Sequence, residues 1–93
     1  MRKVQQALAL FPGASVSVEG HTDANGTDSA NLILSQDRAD AVKQYLVTTF
    51  GLDAEKISSI GYGEARPVST NETPAGRTRN RRIDVLIHAD ASR

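Results

Sequence analysis

Hydrophobic and polar residues alternate in three short segments of the chain, and each segment is predicted to form a strand. In the first, Val16 and Val18 point one way while their polar neighbours point the other. In the last, Ile83, Val85 and Ile87 alternate in the same manner. The predicted strands are Ser15–Gly20, Ile57–Tyr62 and Arg82–His88.

A three- and four-residue periodicity predicts a long helix between the first two strands. Asp28 or Ser29 is suited to cap its start, and Gly51 to end it after Phe50 in a left-handed conformation. Its predicted apolar stripe is Leu32, Ala39, Val42, Leu46 and Phe50. Asn31, Ser35 and Arg38 are predicted to share one polar margin beside this stripe.

Two further helical segments are predicted. Met1–Phe11 has an apolar periodicity and is stopped by Pro12-Gly13. A short turn at Pro74–Arg79 follows Thr73, a residue that can cap a helix whose first position is proline.

The order of these elements predicts the fold class. A strand, a helix of about twenty residues and a second strand form a βαβ unit, whose strands run parallel. The 93 residues are enough for one domain, residues 1–93, and no more. We therefore expect an α+β fold, a small mixed sheet with helices packed on one face.

Composition excludes several classes of protein. Eleven basic and eleven acidic residues give a net charge of zero, which argues against a nucleic-acid-binding protein. No cysteine is present, so disulfides and thiolate metal sites are excluded. No segment approaches the ~20 apolar residues of a membrane span, so we expect membrane association only through a parent protein or anchor outside this chain.

Asp23 and Arg38 are the candidate binding residues. Asp23 follows the first strand, and Arg38 lies fifteen positions later in the long helix. The pair could be an internal salt bridge that braces the loop. It could equally be a clamp for a zwitterion, in which Asp23 accepts from an ammonium and the planar guanidinium of Arg38 holds a carboxylate. Thr22 and Asn31 can each donate and accept hydrogen bonds beside them.

Catalysis and metal binding have weaker support. Ser35 has no histidine near it in the helix, so no nucleophile is predicted. His21, Asp23 and His88 could form a metal-binding set, but their spacing does not require one. We therefore predict no catalytic residue, no metal and no cofactor.

Several motifs occur together and in register between Val16 and Ile87. They include the runs Gly20-His21-Thr22-Asp23, Leu34-Ser35, Arg38-Ala39, Gly61-Tyr62-Gly63-Glu64 and Asn80-Arg81-Arg82. In these runs the chain resembles the OmpA-like peptidoglycan-binding domain, which is found in outer-membrane porins, peptidoglycan-associated lipoproteins and flagellar-motor stators.

The resemblance implies a function and a set of site residues. Such domains bind the stem peptide of Gram-negative peptidoglycan non-covalently, through meso-diaminopimelate, and so tether an envelope protein to the cell wall. Asp23 and Arg38 match the residues that hold the amino and carboxylate ends of that ligand. Thr22, Asn31 and Leu32 match positions that line the pocket, and Arg81 matches one near it. Arg81 could instead brace the last strand by pairing with a carboxylate. The implied location is periplasmic, associated with the outer membrane through the parent protein.

The chain departs from the family pattern at its start. It begins inside the helix that would follow the family's first strand, so we expect an open sheet edge that could allow self-association. Two alternative functions therefore stay open. One is a structural or assembly module in which Asp23–Arg38 is an internal brace, and the other is a wall hydrolase that uses His21 and Asp23.

Overall fold

The computed structural model describes residues 14–88, which form three strands and two helices. Every helix and strand predicted within this range is present, with ends shifted by at most a residue or so. The predicted helix Met1–Phe11 lies outside the described residues. The elements are β1 (Ser15–His21), α1 (Asp28–Phe50), β2 (Ile57–Gly61), α2 (Pro74–Asn80) and β3 (Arg82–His88), with a short 3-10 turn at Ala54–Lys56 before β2.

The strands form one mixed sheet with the order β2-β1-β3. β1 runs parallel to β2, from Val16 opposite Ile57 to Gly20 opposite Gly61. β1 runs antiparallel to β3, and Val18 lies opposite Val85. The predicted α+β fold with a βαβ unit is therefore confirmed. β2 and β3 are the two edge strands of the described sheet.

The core lies between α1 and one face of the sheet. Val16 and Val18 are almost completely buried there, as their alternation predicts. Ile83 and Val85 of β3 pack against the same cluster because they pair in register with β1. The buried core residues are Val16, Val18, Ala39, Leu46 and Ile57, in addition to Ala14 at the start of the described range.

The first turns of α1 contact the sheet through polar residues, which corrects the predicted stripe. Asn31 and Ser35 are buried, whereas Leu32 is 48% exposed. The reason is the close approach of helix and sheet. A Cβ on Gly20 would overlap the backbone carbonyl of Ser35, and a Cβ on Gly61 would lie 2.6 Å from Ser35 Oγ. A leucine on this face would not fit over the two glycines.

The start of α1 also differs from the prediction. Thr27, and not Asp28 or Ser29, is the N-cap, and its Oγ1 accepts a hydrogen bond from Ala30 N at 3.1 Å. The predicted end is confirmed, since Gly51 has a φ of 67° and donates from its backbone N–H to Val47 O. Neither helix in the range 14–88 is both long and apolar enough to cross a lipid bilayer.

Candidate functional site

The candidate site begins where β1 leaves the sheet. Beyond His21 the backbone of Thr22 still bonds to the chain that follows β2, because its N–H donates to Gly63 O at 2.8 Å. The Thr22 hydroxyl donates to Asp23 O at 2.9 Å. Because Thr22 is buried, this hydrogen bond stabilises the conformation of the loop.

Asp23 is buried, and both of its carboxylate oxygens have partners. Its side chain is only 7% exposed. Oδ1 accepts from Asn25 N at 3.0 Å, and Oδ2 accepts from the guanidinium of Arg81. Arg81 is itself steadied by a bond of 3.0 Å from Nη2 to Thr78 Oγ1. The carboxylate therefore has a fixed orientation before any ligand arrives.

The ionised form of Asp23 is favoured. Burial by itself raises the pKa of this carboxyl. The hydrogen bonds from Arg81 and from Asn25 N, with the positive charges of Arg81 and Arg77, more than offset that effect and leave the pKa below its ordinary value. Asp23 is therefore a negative charge at neutral pH.

Asn31 fixes the loop from the first turns of α1. Its side-chain amide donates to Asn25 O at 2.9 Å and to Asp23 O at 3.3 Å. One buried amide thus holds two loop carbonyls whose unpaired burial would be costly. Asn31 thus supports the loop that carries Asp23.

Arg38 does not pair with Asp23. It lies exposed on α1, and within residues 14–88 the ion pair of Asp23 is formed with Arg81. The predicted alternative in which Asp23–Arg38 is an internal brace is therefore wrong in its partner. The internal brace in this fold is Asp23–Arg81, which joins the loop after β1 to the residue between α2 and β3.

Leu32 lies on a different side of α1 from the buried Asn31. It lines a pocket of about 410 Å³ together with Asp28, Tyr62, Glu64 and Ala65. The pKa of Glu64 is raised, chiefly because its protonated form can share a hydrogen bond with the carboxylate of Asp28, and burial and the charge of Asp28 add to the shift. Among the predicted site residues in the described range, Leu32 is the one in this pocket's lining.

Asn80 positions Arg81, and the sequence analysis did not single it out as a site residue. It is completely buried, and its Oδ1 accepts from both Val68 N and Ser69 N. Its amide donates to Ser69 O and to Asn71 Oδ1, and Asn71 Oδ1 also accepts from Ala24 N. The signal available in the sequence was its place next to Arg81 in the Asn-Arg-Arg run.

Ser35 lies where α1 packs against the sheet. Its hydroxyl is fully buried, donates to Leu32 O at 3.0 Å and accepts from Gly63 N at 2.9 Å. It thereby joins α1 to the turn that follows β2. A hydroxyl in this position contributes to packing and not to attack on a substrate.

Comparisons with known proteins agree with this fold and with these motifs. Outer membrane porin F of Pseudomonas aeruginosa is 46% identical over 91 residues, which cover 98% of this chain and 26% of that protein. The peptidoglycan-binding protein ArfA of Mycobacterium tuberculosis is 35% identical over 88 residues, which cover 95% of this chain and 27% of that protein. This chain thus spans about a quarter of the length of these relatives.

A solved structure and a family model give the same result. The crystal structure of the peptidoglycan-associated lipoprotein from Burkholderia pseudomallei matches with a TM-score of 0.84 and 30% sequence identity, over 94% of this chain and 73% of that one. The model of the OmpA family matches residues 1–81. With its mixed sheet, its long helix and this match over most of its length, the chain belongs to the OmpA family.

Proposed function

We propose that this domain binds peptidoglycan non-covalently through the meso-diaminopimelate residue of the stem peptide. The names of two relatives support the class of ligand, since one is a peptidoglycan-binding protein and another a peptidoglycan-associated lipoprotein. The diaminopimelate side chain ends in a carbon that bears both an ammonium and a carboxylate. A site for it needs one fixed negative group and one positive group that is free to turn towards the ligand.

The observation that carries the proposal is the buried, ionised carboxylate of Asp23 at the end of β1. A carboxylate has about four acceptor positions, and Arg81 and Asn25 N occupy two of them. The remaining positions can accept from an ammonium. Because the carboxylate is already oriented, binding does not have to restrict its rotation, which favours affinity.

Arg38 supplies the positive group in this proposal. It is exposed, and its charge is not consumed by Asp23, whose ion pair is with Arg81. A guanidinium can hold a carboxylate through two parallel hydrogen bonds, a geometry that an ammonium cannot match. Arg81 then serves to orient Asp23 and keep it ionised. Thr22 and Asn31 maintain the loop, and Leu32 offers apolar surface to the ligand's methylene groups.

The biological setting follows from the length of the relatives. Because this chain corresponds to about a quarter of porin F and of ArfA, we propose that it serves as the wall-binding part of a larger envelope protein. Its place would be the periplasm, and any contact with the outer membrane would be made by the parent protein or its anchor. The proposed activity is binding and not catalysis.

The test compares two stem peptides that differ only at the third residue. One carries meso-diaminopimelate, and the other carries lysine, which keeps the ammonium but lacks the carboxylate beside it. Proton–nitrogen NMR titrations should show shifts around Thr22–Asn31 and Arg38 with the first peptide. Asp23→Asn and Arg38→Ala should each weaken its binding by ~10-fold or more, since a charge-assisted hydrogen bond contributes roughly 1.5–3 kcal/mol.

The ratio of the affinities for the two peptides distinguishes the role of Arg38 from that of Asp23. Arg38→Ala should bring the diaminopimelate peptide close to the lysine peptide, because only the former has a carboxylate for Arg38 to hold. The matched control is Arg79→Ala, which removes another exposed arginine, from α2. Unchanged selectivity in Arg38→Ala, in a domain that remains folded by circular dichroism, would refute the proposed clamp.

A structural or assembly module remains the second candidate, and two observations favour it. Asp23 already has an internal partner in Arg81, and β2 and β3 are both edge strands in the described sheet. Edge strands can pair with another copy of the chain. This candidate predicts concentration-dependent self-association in sedimentation experiments and no response of the NMR spectrum to either stem peptide.

A further inference from the structure

Three side chains with metal-binding groups converge on the face of the sheet opposite α1. Glu19 and His21 lie two positions apart on β1, so both point away from the helix. Asp84 of β3 pairs in register with Glu19. His21 Nε2 lies 3.4 Å from Asp84 Oδ2 and 4.0 Å from Glu19 Oε1. One ligand atom from each residue lies within 4.8 Å of the other two.

His21 is a buried side chain without a hydrogen-bond partner. It is 2% exposed, and neither Nδ1 nor Nε2 has a partner within the part of the chain that the structure describes. The approach of Nε2 to Asp84 is short enough but lacks hydrogen-bond geometry. Buried polar groups in folded proteins are nearly always paired, so an imidazole left with two free nitrogens points to an additional ligand.

The imidazole ring is held in place by its neighbours. The Tyr62 ring stacks on it with the centroids 5.4 Å apart and an interplanar angle of 15°. The Arg66 guanidinium lies 3.8 Å from the centre of the Tyr62 ring. Burial, with the positive charge of Arg82, lowers the pKa of His21 despite the opposing charges of Asp84 and Glu19. The lowered pKa favours the neutral ring, which is the form of imidazole that binds a metal.

We propose that Glu19, His21 and Asp84 bind a divalent transition-metal cation, with zinc as the representative ion. One imidazole nitrogen and two carboxylate oxygens form a three-ligand set that leaves a fourth position for water. Zinc bonds of about 2.0–2.2 Å place tetrahedral ligand atoms roughly 3.4 Å apart. The His21–Asp84 separation already has this value, and small rotations of Glu19 would close the others.

Asp84 is exposed enough to give an ion access to the cluster, and Arg82 holds Asp84 in place. The Asp84 side chain is 38% exposed, which opens the cluster to solvent, whereas that of Glu19 is 15% exposed. Arg82 Nε donates to Asp84 Oδ2 at 3.1 Å. Its positive charge opposes a cation, but a hydrogen bond to a ligating carboxylate is also a common means of orienting it. The same oxygen lies 3.4 Å from His21 Nε2, and a carboxylate oxygen has a second lone pair with which to bind the metal while Arg82 keeps its hydrogen bond.

These three ligands differ from the metal-binding set that the sequence suggested, which was His21, Asp23 and His88. His88 lies opposite Ser15 in the β1–β3 register while His21 lies opposite Arg82, so the two histidines are about 20 Å apart along the strands. Asp23 is held by Arg81. Only the pairing of β1 with β3 brings Asp84 next to His21, 63 positions earlier in the chain.

The test follows the imidazole nitrogens of the unmodified domain, prepared without a histidine tag, by long-range proton–nitrogen NMR during zinc addition. The Nε2 resonance of His21 should move to the position of a metal-bound nitrogen, and that of His88 should not. This measurement needs no substitution, so folding does not complicate it. Absence of any change at His21 up to millimolar zinc, or a response confined to His88, would overturn the proposal.

Two variants give an affinity readout by isothermal titration calorimetry. Asp84→Asn preserves the shape of a partly exposed ligand and should weaken zinc binding by at least about tenfold, the loss typical even for groups that only support a ligand. His88→Gln, at the far end of β3, is the matched control and should leave the affinity unchanged. Equal zinc affinity in Asp84→Asn and the parent domain would refute the site.

Discussion

Removing the Arg81 guanidinium should destabilise the domain, whereas removing that of Arg38 should not. The prediction rests on the partner of Asp23. Its side chain is 7% exposed and bonds to Arg81, whose own side chain is 43% exposed. In Arg81→Ala a nearly buried carboxylate would keep only the bond from Asn25 N.

The magnitude follows from the exposure of the two partners. A hydrogen bond to a charged group contributes roughly 1.5–3 kcal/mol. Solvent around Arg81 screens the pair, so we expect a loss near or just below the lower end of this range, about 1–2 kcal/mol. In a domain of this size such a loss lowers Tm by roughly 5–10 °C. Arg38→Ala, at an exposed position, should stay within about 0.5 kcal/mol.

The assay is a pair of double-mutant cycles, measured by urea unfolding of the ligand-free domain. Asp23→Asn combined with Arg81→Ala should show a coupling of about 1 kcal/mol or more, because either change alone already removes the pair. Asp23→Asn combined with Arg38→Ala should be additive. A coupling of Asp23 to Arg38 as large as that to Arg81 would refute the assignment of the brace, and with it the availability of Arg38 for a ligand.

Three further perturbations have defined outcomes. Gly20→Ala would push a Cβ against the Ser35 carbonyl and should lower the free energy of unfolding by roughly 1–3 kcal/mol or more. In the control Gly51→Ala the new Cβ meets open space, so the loss should be only the ~1 kcal/mol of an alanine in the left-handed conformation. A lower urea midpoint for Gly51→Ala than for Gly20→Ala would contradict the packing. Asn80→Ala leaves several loop groups unpaired at roughly 1–3 kcal/mol for each one that stays buried, and an unchanged Tm would argue against its place as the anchor of the loop. The stabilisation from ionised Asp23 should be complete above the ordinary pKa of 3.8 and be lost as the pH falls through the lowered folded-state pKa. Asp23→Asn should therefore lose less stability on acidification than the parent domain. Parallel profiles of unfolding free energy against pH for the two proteins would contradict this.

The local structure of this protein could be predicted from neighbouring residues alone. Alternation places Val16 and Val18 on the core face because a strand repeats every two residues. The end of α1 follows from Gly51, whose lack of a side chain suits the left-handed conformation that it adopts. The family motifs are likewise read from runs of adjacent residues, and through them Asp23 was predicted as a candidate binding residue.

Only the tertiary structure decided which distant groups meet. Arg81 reaches Asp23 across 58 positions and Asp84 reaches Glu19 across 65, and both meetings depend on the antiparallel register of β1 with β3. Asn31 and Ser35 occupy the buried face in place of Leu32 because two glycines let the helix lie against the sheet backbone. The periodicity of hydrophobic residues predicts which face of its own helix or strand a residue occupies. The partner it meets is set by how the elements pack, and no local pattern specifies that.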